Sequence, residues 1–233
     1  METEQKKRAA GEYAVNFLED GMTVGLGSGT TVNWMIKKLA EKVESGLKVS
    51  GVPSSLKTEK LAKDLGIPLT DLTQNPVLDV AIDGADQADR HFNLIKGGGG
   101  SLLREKIVLD AARKKFIIID EQKRVDTLNK VPLPVEVVPF GWENTARKLS
   151  AFASQVNLRM LNNEPFVSDN GNYILDCQFE NFSSPDSLQN QLKSLLGVVE
   201  TGLFINMTDT LIVGEETGIK IYDGTEPVKI VNY

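Results

Sequence analysis

Cysteine and histidine are almost missing from this chain: its 233 residues include one of each, Cys177 and His91. A single thiol excludes an intramolecular disulfide and points to a reducing, cytoplasmic setting. His91 stands among Arg90, Phe92 and Asn93 with no acid to orient it, so a structural role is expected rather than that of a general base. Basic charge is scarce too. With 26 Lys and Arg against 32 Asp and Glu, the net charge is −6, which argues against the basic stripe of a nucleic-acid surface. No apolar run reaches the roughly 18 residues of a membrane span. The opening Met1-Glu2-Thr3-Glu4-Gln5-Lys6-Lys7-Arg8 lacks the apolar centre of a signal peptide, so neither secretion nor a membrane partner is expected.

What the chain does have is enough apolar residue, 41%, to bury one large core or two small ones. Its most unusual stretch runs from Asp83 to Lys106, DGADQADRHFNLIKGGGGSLLREK. Asp83 and Asp86 follow the apolar run from Val77 to Ile82, a buried strand whose carboxyl end would present both acids. Ligands of open α/β sheets sit beyond that end. Lys96, the glycines Gly97 to Gly100, and a helix carrying Glu105 in its first turn come next. Four glycines in a row are entropically costly and make sense where backbone amides must approach a ligand closely. A helix N-terminus behind them favours anions. Asp83, Asp86 and Asp89 have no calcium-loop spacing, and Lys96 nearby opposes a dication, so no metal is expected.

A second glycine turn lies near the start. A helix is expected over residues 3–19, closed by Gly21, and a strand at Thr23 to Leu26. Then follow Gly27-Ser28-Gly29-Thr30-Thr31 and a helix from Val32 to Glu44. Strand, Gly/Ser/Thr turn and helix form an anion site. No lysine follows the last glycine, so this is not a Walker loop. Thr30 stands at the third glycine position of a dinucleotide fingerprint, and no acid ends the next strand, Leu47 to Val52, so no nucleotide cofactor is expected. By itself the motif fits a tight packing turn as well, and Lys7 by itself fits a solvated lysine.

Further on, a helix (57–65), a short strand (67–69), the strand at 77–82, a helix (101–114) and a strand (116–120) continue the alternation. Lys123 lies just past the last of these, on the rim that carries the acids. This order implies an α/β fold: a mostly parallel sheet flanked by helices, Rossmann-like but without a dinucleotide site. From residue 131 the pattern becomes strand (135–138), helix (142–155), strand (157–161), strand (173–179), helix (185–196), strand (198–207). That is the β-α-β-β-α-β order of a small ferredoxin-like α+β domain inserted in the chain. The expected division is 1–130 plus 208–233 for the catalytic domain and 131–207 for the small one. Cys177, Trp34 and Trp142 are expected to pack.

Taken together, the motifs resemble those of type A ribose-5-phosphate isomerases. GLGSGTT is similar to that family's phosphate-and-sugar loop, DGAD (Asp83 to Asp86) and KGGG…REK (Lys96 to Gly99, Arg104 to Lys106) to its other signatures. PLPVEV (132–137), DNGNYILD (169–176) and GLF (202–204) extend the likeness along most of the chain. Ser28, Gln87 and Ser101 depart from the usual threonine, glutamate and smaller residue. The resemblance implies reversible conversion of D-ribose 5-phosphate and D-ribulose 5-phosphate without metal, nucleotide or other cofactor, in a homodimer or homotetramer. It implies Glu105 as the base, Lys96 and the amides of Gly97, Gly98 and Gly99 as stabilisers of an enediolate, and Asp83, with Gly84, Ala85 and Asp86, on the sugar. Asp83 would also assist ring opening. Ser28, Gly29, Thr30, Thr31, Lys7 and Lys123 would hold the phosphate and nearby hydroxyls. Two other readings stay open at this point. A coenzyme A transferase would use the glutamate as a nucleophile, and a non-catalytic sugar-phosphate sensor would need an output module, for which residues 1–20 leave no room.

Overall fold

The computed structural model describes residues 2–128, 131–180 and 184–232. The expected domain limits at 1, 130 and 233 lie outside the described residues. The chain forms two compact units. One comprises Met1–Ala85, Arg104–Arg124 and Met207–Tyr233, the other Asp86–Leu103 and Val125–Asn206.

Helix α1 (Thr3–Ala14) passes through one 3-10 turn and ends where Leu18 becomes extended (ψ 136°), short of the expected residue 19. Strand β1 (Thr23–Leu26) is followed by α2 (Thr30–Glu44), β2 (Ser50–Pro53), α3 (Leu56–Asp64) and β3 (Leu78–Gly84). α2 starts two residues before Val32, so Thr30 and Thr31 form its first turn. The expected strand at 67–69 is a single parallel bridge, Gly51 with Leu69. Next come β4 (Gln87–Ala88), β5 (Leu94–Ile95), α4 (Leu102–Asp110) and β6 (Ala112–Asp120). The helix expected to reach 114 stops at Asp110, because Ala112 and Lys114 pair in parallel with Leu78 and Val80.

The second unit continues with β7 (Leu133–Val137), α5 (Trp142–Leu149), β8 (Gln155–Leu158), β9 (Met160–Leu161), β10 (Glu164–Pro165), β11 (Tyr173–Gln178), α6 (Pro185–Lys193), β12 (Val198–Thr201) and β13 (Leu203–Phe204). The chain ends in the first unit with β14 (Thr210–Gly214), β15 (Gly218–Tyr222) and β16 (Pro227–Asn232).

The first unit is built on a seven-stranded sheet in the order β16-β15-β14-β6-β3-β1-β2. The five strands from β2 to β14 are parallel, and the last two close the edge antiparallel. Side chains alternate across each strand. Val24, Leu26, Val80, Ile82 and Ile118 join Ala10 and Ala14 of α1 and Val32, Met35, Ile36 and Leu39 of α2 in one core. Gly25 points to the opposite face, where an added Cβ would lie 2.6 Å from Val108 of α4 and 2.8 Å from Ala81. The missing side chain lets α4 press on the sheet.

This strand order creates a switch point. The chain leaves β1 toward β2 and leaves β3 toward β6, in opposite directions, while Leu26 is in register with Ile82. The crevice where such connections diverge, beyond the carboxyl ends, is where open α/β sheets bind ligands. Gly27 and Asp83 occupy it.

The second unit has a four-stranded antiparallel sheet, β12-β7-β11-β8, with α5 and α6 as its connections. Numbering its strands along the chain gives 4-1-3-2, the ferredoxin-like order. Leu133, Val135 and Val137 of β7 pack with Leu149, Leu175, Cys177 and Leu192. Glu136 and Pro134 alternate to the other face. The strand expected at 198–207 is two strands, since β13 leaves the sheet to join β5 and β4 in a separate three-stranded one.

Candidate active site

In the first unit, Asp83 is 1% exposed at the end of β3. Its Oδ1 accepts hydrogen bonds from the Ser28 N–H (3.0 Å) and the Gly84 N–H (2.7 Å). Gly27, whose N–H donates to Ile82 O (3.0 Å), permits this closeness: a Cβ there would lie 2.2 Å from Asp83 Oδ1. The Ser28 hydroxyl is engaged by three others, Ser54 and Ser55 at 2.9 Å each and Thr58 at 3.2 Å. Thr58 Oγ1 donates to Gly27 O (2.8 Å) and Ser55 caps α3. Sequence reasoning missed this hydroxyl cluster, although Pro53-Ser54-Ser55 follows a strand in the same way as the first glycine turn. It turns Ser28 into a fastener of the turn.

Gly29, with φ of 109°, precedes the first residue of α2, and no side chain caps that helix. Its first N–H groups therefore point outward at the positive end of the helix dipole. Gly11 of α1 touches the same turn, where a Cβ would lie 2.7 Å from Thr31 O. Lys7, one helical turn earlier on that face of α1, is mostly buried and 3.8 Å from Glu4. Lys6, its neighbour, is buried against Glu121 at 2.7 Å, and that hydrogen bond holds its ammonium above the ordinary range. Lys123 Nζ donates to Ala85 O (2.7 Å), placing it beside the end of β3.

Glu105 is 5% exposed. On α4 it shares a stripe with Leu102, Val108 and Leu109, at spacings of three and four, that faces inward. Packing alone would place leucine there, since burying a carboxylate is unfavourable.

The second unit holds the other predicted residues. Lys96 is 2% exposed, its Nζ 5.4 Å from the centre of the Phe204 ring and its N–H donating to Gly202 O (2.9 Å). A Cβ on Gly202 would lie 2.3 Å from Lys96 O, which accounts for the glycine of GLF. Gly97 (φ 102°) opens a turn closed by the Gly100 N–H on Gly97 O (3.0 Å). Asp86 Oδ2 accepts from the Gly98 N–H (2.8 Å), while Gly98 and Gly99 are exposed. Asp89 is tied to its own loop, accepting from the N–H groups of His91 (2.8 Å) and Asn93 (2.9 Å). His91 lies on the surface of that loop. Among the described residues, no group of three His, Cys, Asp or Glu could hold a metal ion, and no helix is long and apolar enough to cross a membrane.

A glycine turn at a helix N-terminus, a buried acid at the sheet's switch point and a carboxylate on an inward helix face define an α/β protein that handles a small anionic ligand. The chain belongs to the ribose 5-phosphate isomerase A (phosphoriboisomerase A) family, whose model matches residues 50–218. It is 50% identical over 221 residues to ribose-5-phosphate isomerase A 1 of Oceanobacillus iheyensis, covering 94% of this chain and 99% of that one. To the Bacillus cereus ribose-5-phosphate isomerase A it is 53% identical over 215 residues, 92% and 98% of the two chains. Among solved structures, a D-ribose-5-phosphate isomerase in complex with phospho-erythronic acid superposes with a TM-score of 0.92 at 39% identity, over 95% of this chain and 99% of that one. The Methanocaldococcus jannaschii ribose 5-phosphate isomerase A superposes at 0.90 and 35% identity, with coverage of 95% and 99%.

Proposed function

We propose that this chain interconverts D-ribose 5-phosphate and D-ribulose 5-phosphate, with Glu105 as the base. The reaction removes a proton from C2 of the open-chain aldose, leaves the electron pair in an enediolate, passes the O2 proton to O1, and returns a proton to C1 to give the ketose. One carboxylate suffices for both transfers. The observation that carries the assignment is the burial of Glu105 on the apolar stripe of α4.

Lys96 and the glycine amides after it stabilise the enediolate oxygens, a contribution on the order of 3 kcal/mol per donor. Asp83 accepts a sugar hydroxyl and assists opening of the cyclic hemiacetal, and Asp86, Gly84 and Ala85 line the sugar. Gly29, Thr30 and Thr31 at the N-terminus of α2, with Lys7 and Lys123, hold the phosphate. Ser28 shapes that turn through Ser54, Ser55 and Thr58. Binding energy from the remote phosphate orients the reacting carbons. The resulting enzyme acts in the cytoplasm on sugar phosphate as a homodimer or homotetramer, for which the exposed Phe140 and Leu196 supply apolar surface.

The test is proton exchange. Incubated with ribose 5-phosphate and a chelator in heavy water, the protein should form ribulose 5-phosphate carrying carbon-bound deuterium. Glu105→Gln should bind the substrate and do neither. A variant keeping more than about a tenth of the wild-type rate, a barrier change under ~1.4 kcal/mol, would remove Glu105 from the role.

A further inference from the structure

The exposed glycine turn is held from one side by an arginine 61 and 62 residues from the two glycines it contacts, outside every motif assigned a role above. Arg159 lies just past β8, and its side chain is 15% exposed. Its guanidinium makes a two-pronged pair with Asp176 of β11, Nε to Oδ2 at 2.9 Å and Nη2 to Oδ1 at 2.5 Å. The remaining nitrogen, Nη1, donates to Gly97 O (2.8 Å) and to Gly98 O (3.1 Å). Phe166 lies under the guanidinium at 5.8 Å and against Gly100, where a Cβ would come within 2.3 Å of its ring.

These contacts determine which way the amides face. In a trans peptide, C=O and the next N–H point in opposite directions. The Gly97–Gly98 peptide has Arg159 on its oxygen and Asp86 on its N–H, so it is clamped at both ends. The Gly98–Gly99 peptide has Arg159 on its oxygen, which turns the Gly99 N–H away from the guanidinium. No acceptor among the described residues takes that N–H, and a Cβ at Gly99 would meet open space. Glycines would otherwise sample many orientations. A planar fork locked by Asp176 removes that freedom, which a lysine's single point charge could not do.

We propose that Arg159 is a positioning residue for the isomerisation: held by Asp176, it presets the Gly99 amide to receive the enediolate oxygen. This rests on the reading of the turn as an anion stabiliser. Preorganised donors count in the transition state more than in substrate binding. Loss of the fork should therefore lower kcat and the affinity for an enediolate-like anion together, and leave substrate affinity nearly intact.

The experiment compares wild type, Arg159→Met and Arg159→Lys by steady-state kinetics on ribose 5-phosphate and by inhibition with phospho-erythronate, whose carboxylate stands for the enediolate oxygens. Arg159→Met should lose about 10- to 100-fold in kcat, the scale of small misplacements remote from the chemistry. Phospho-erythronate should weaken in parallel and KM should change by less than about threefold. Arg159→Lys should recover only part of the loss, and decides alone if the Met variant does not fold. Wild-type kcat in the Lys variant together with the Met variant, or in the Lys variant when it stands alone, overturns the proposal. So does equal weakening of substrate and phospho-erythronate. A wild-type protein that fails to isomerise ribose 5-phosphate would overturn the functional reading instead.

Discussion

At the scale of single residues, glycines separate into those that admit a neighbour and those that leave a gap. Gly27 is of the first kind. A methyl there would lie 2.2 Å from Asp83 Oδ1 and 2.6 Å from Asp83 Cα, and the backbone contact cannot be relieved by a side-chain rotation. Gly27→Ala should push β3's end from β1, break the Ser28 bond to Asp83, and destabilise by about 1–3 kcal/mol. Gly99→Ala meets nothing within 4 Å and has no positive φ, so its stability should stay within about 0.5 kcal/mol of wild type. Urea unfolding of the two variants tests the contrast; equal midpoints would show that the strand ends are more pliant than this geometry implies. The same residues show what a sequence can disclose. Glycine turns, acids after an apolar run and a glutamate in the first turn of the next helix are local signals that the sequence displays, whereas the inward position of Glu105 is not. Arg159 with Asp176, and Ser28 with Ser54, Ser55 and Thr58, were not legible, because no spacing along the chain marks partners that only folding brings together.

Elements were legible where periodicity lasted. β1 has the expected bounds because four buried residues lie between Gly21 and Gly27. Ala112 to Lys114 carry good helix formers, yet they are strand, since pairing with β3 outweighs propensity. The two-residue strands β4, β5 and β13 are too short to show any alternation. β11 shows alternation well, and Cys177 on it is fully buried. Burial pushes its thiol up to about 12. Below the ordinary thiol range the neutral group is retained in folded and unfolded chains alike; as pH rises from there toward 12, the unfolded chain ionises first and stability falls. At pH 8 native protein should therefore leave Ellman's reagent nearly unreacted over minutes, and one equivalent should react at once in guanidinium. Rapid labelling of the native state would mean that β11 opens independently of the core around it.

For the whole molecule, the decisive feature is how the chain is threaded. It passes between the two units at 85/86, 103/104, 124/125 and 206/207. The segment Asp86–Leu103 supplies β4, β5 and the core residue Ile95 to the second unit, while both of its ends continue into elements of the first. The connection from β6 to the parallel strand β14, which a helix makes in simpler α/β sheets, is here the rest of the second unit. Unfolding the first unit releases both ends of Asp86–Leu103 and so removes strands and core from the second. Unfolding the second leaves β6 and β14 joined by a long free loop, whose closure entropy weakens their pairing. Each unit thus depends on the other through its covalent connections, and one cooperative transition follows. The two tryptophans can report it separately, because Trp34 lies on α2 of the first unit and Trp142 on α5 of the second. In Trp142→Phe the fluorescence follows the first unit, and in Trp34→Phe the second. Corrected for each substitution's own effect by circular dichroism, the two fluorescence midpoints in urea should coincide. A second-unit signal lost at clearly lower urea than the first would show that threading does not couple them, and that the smaller core melts by itself.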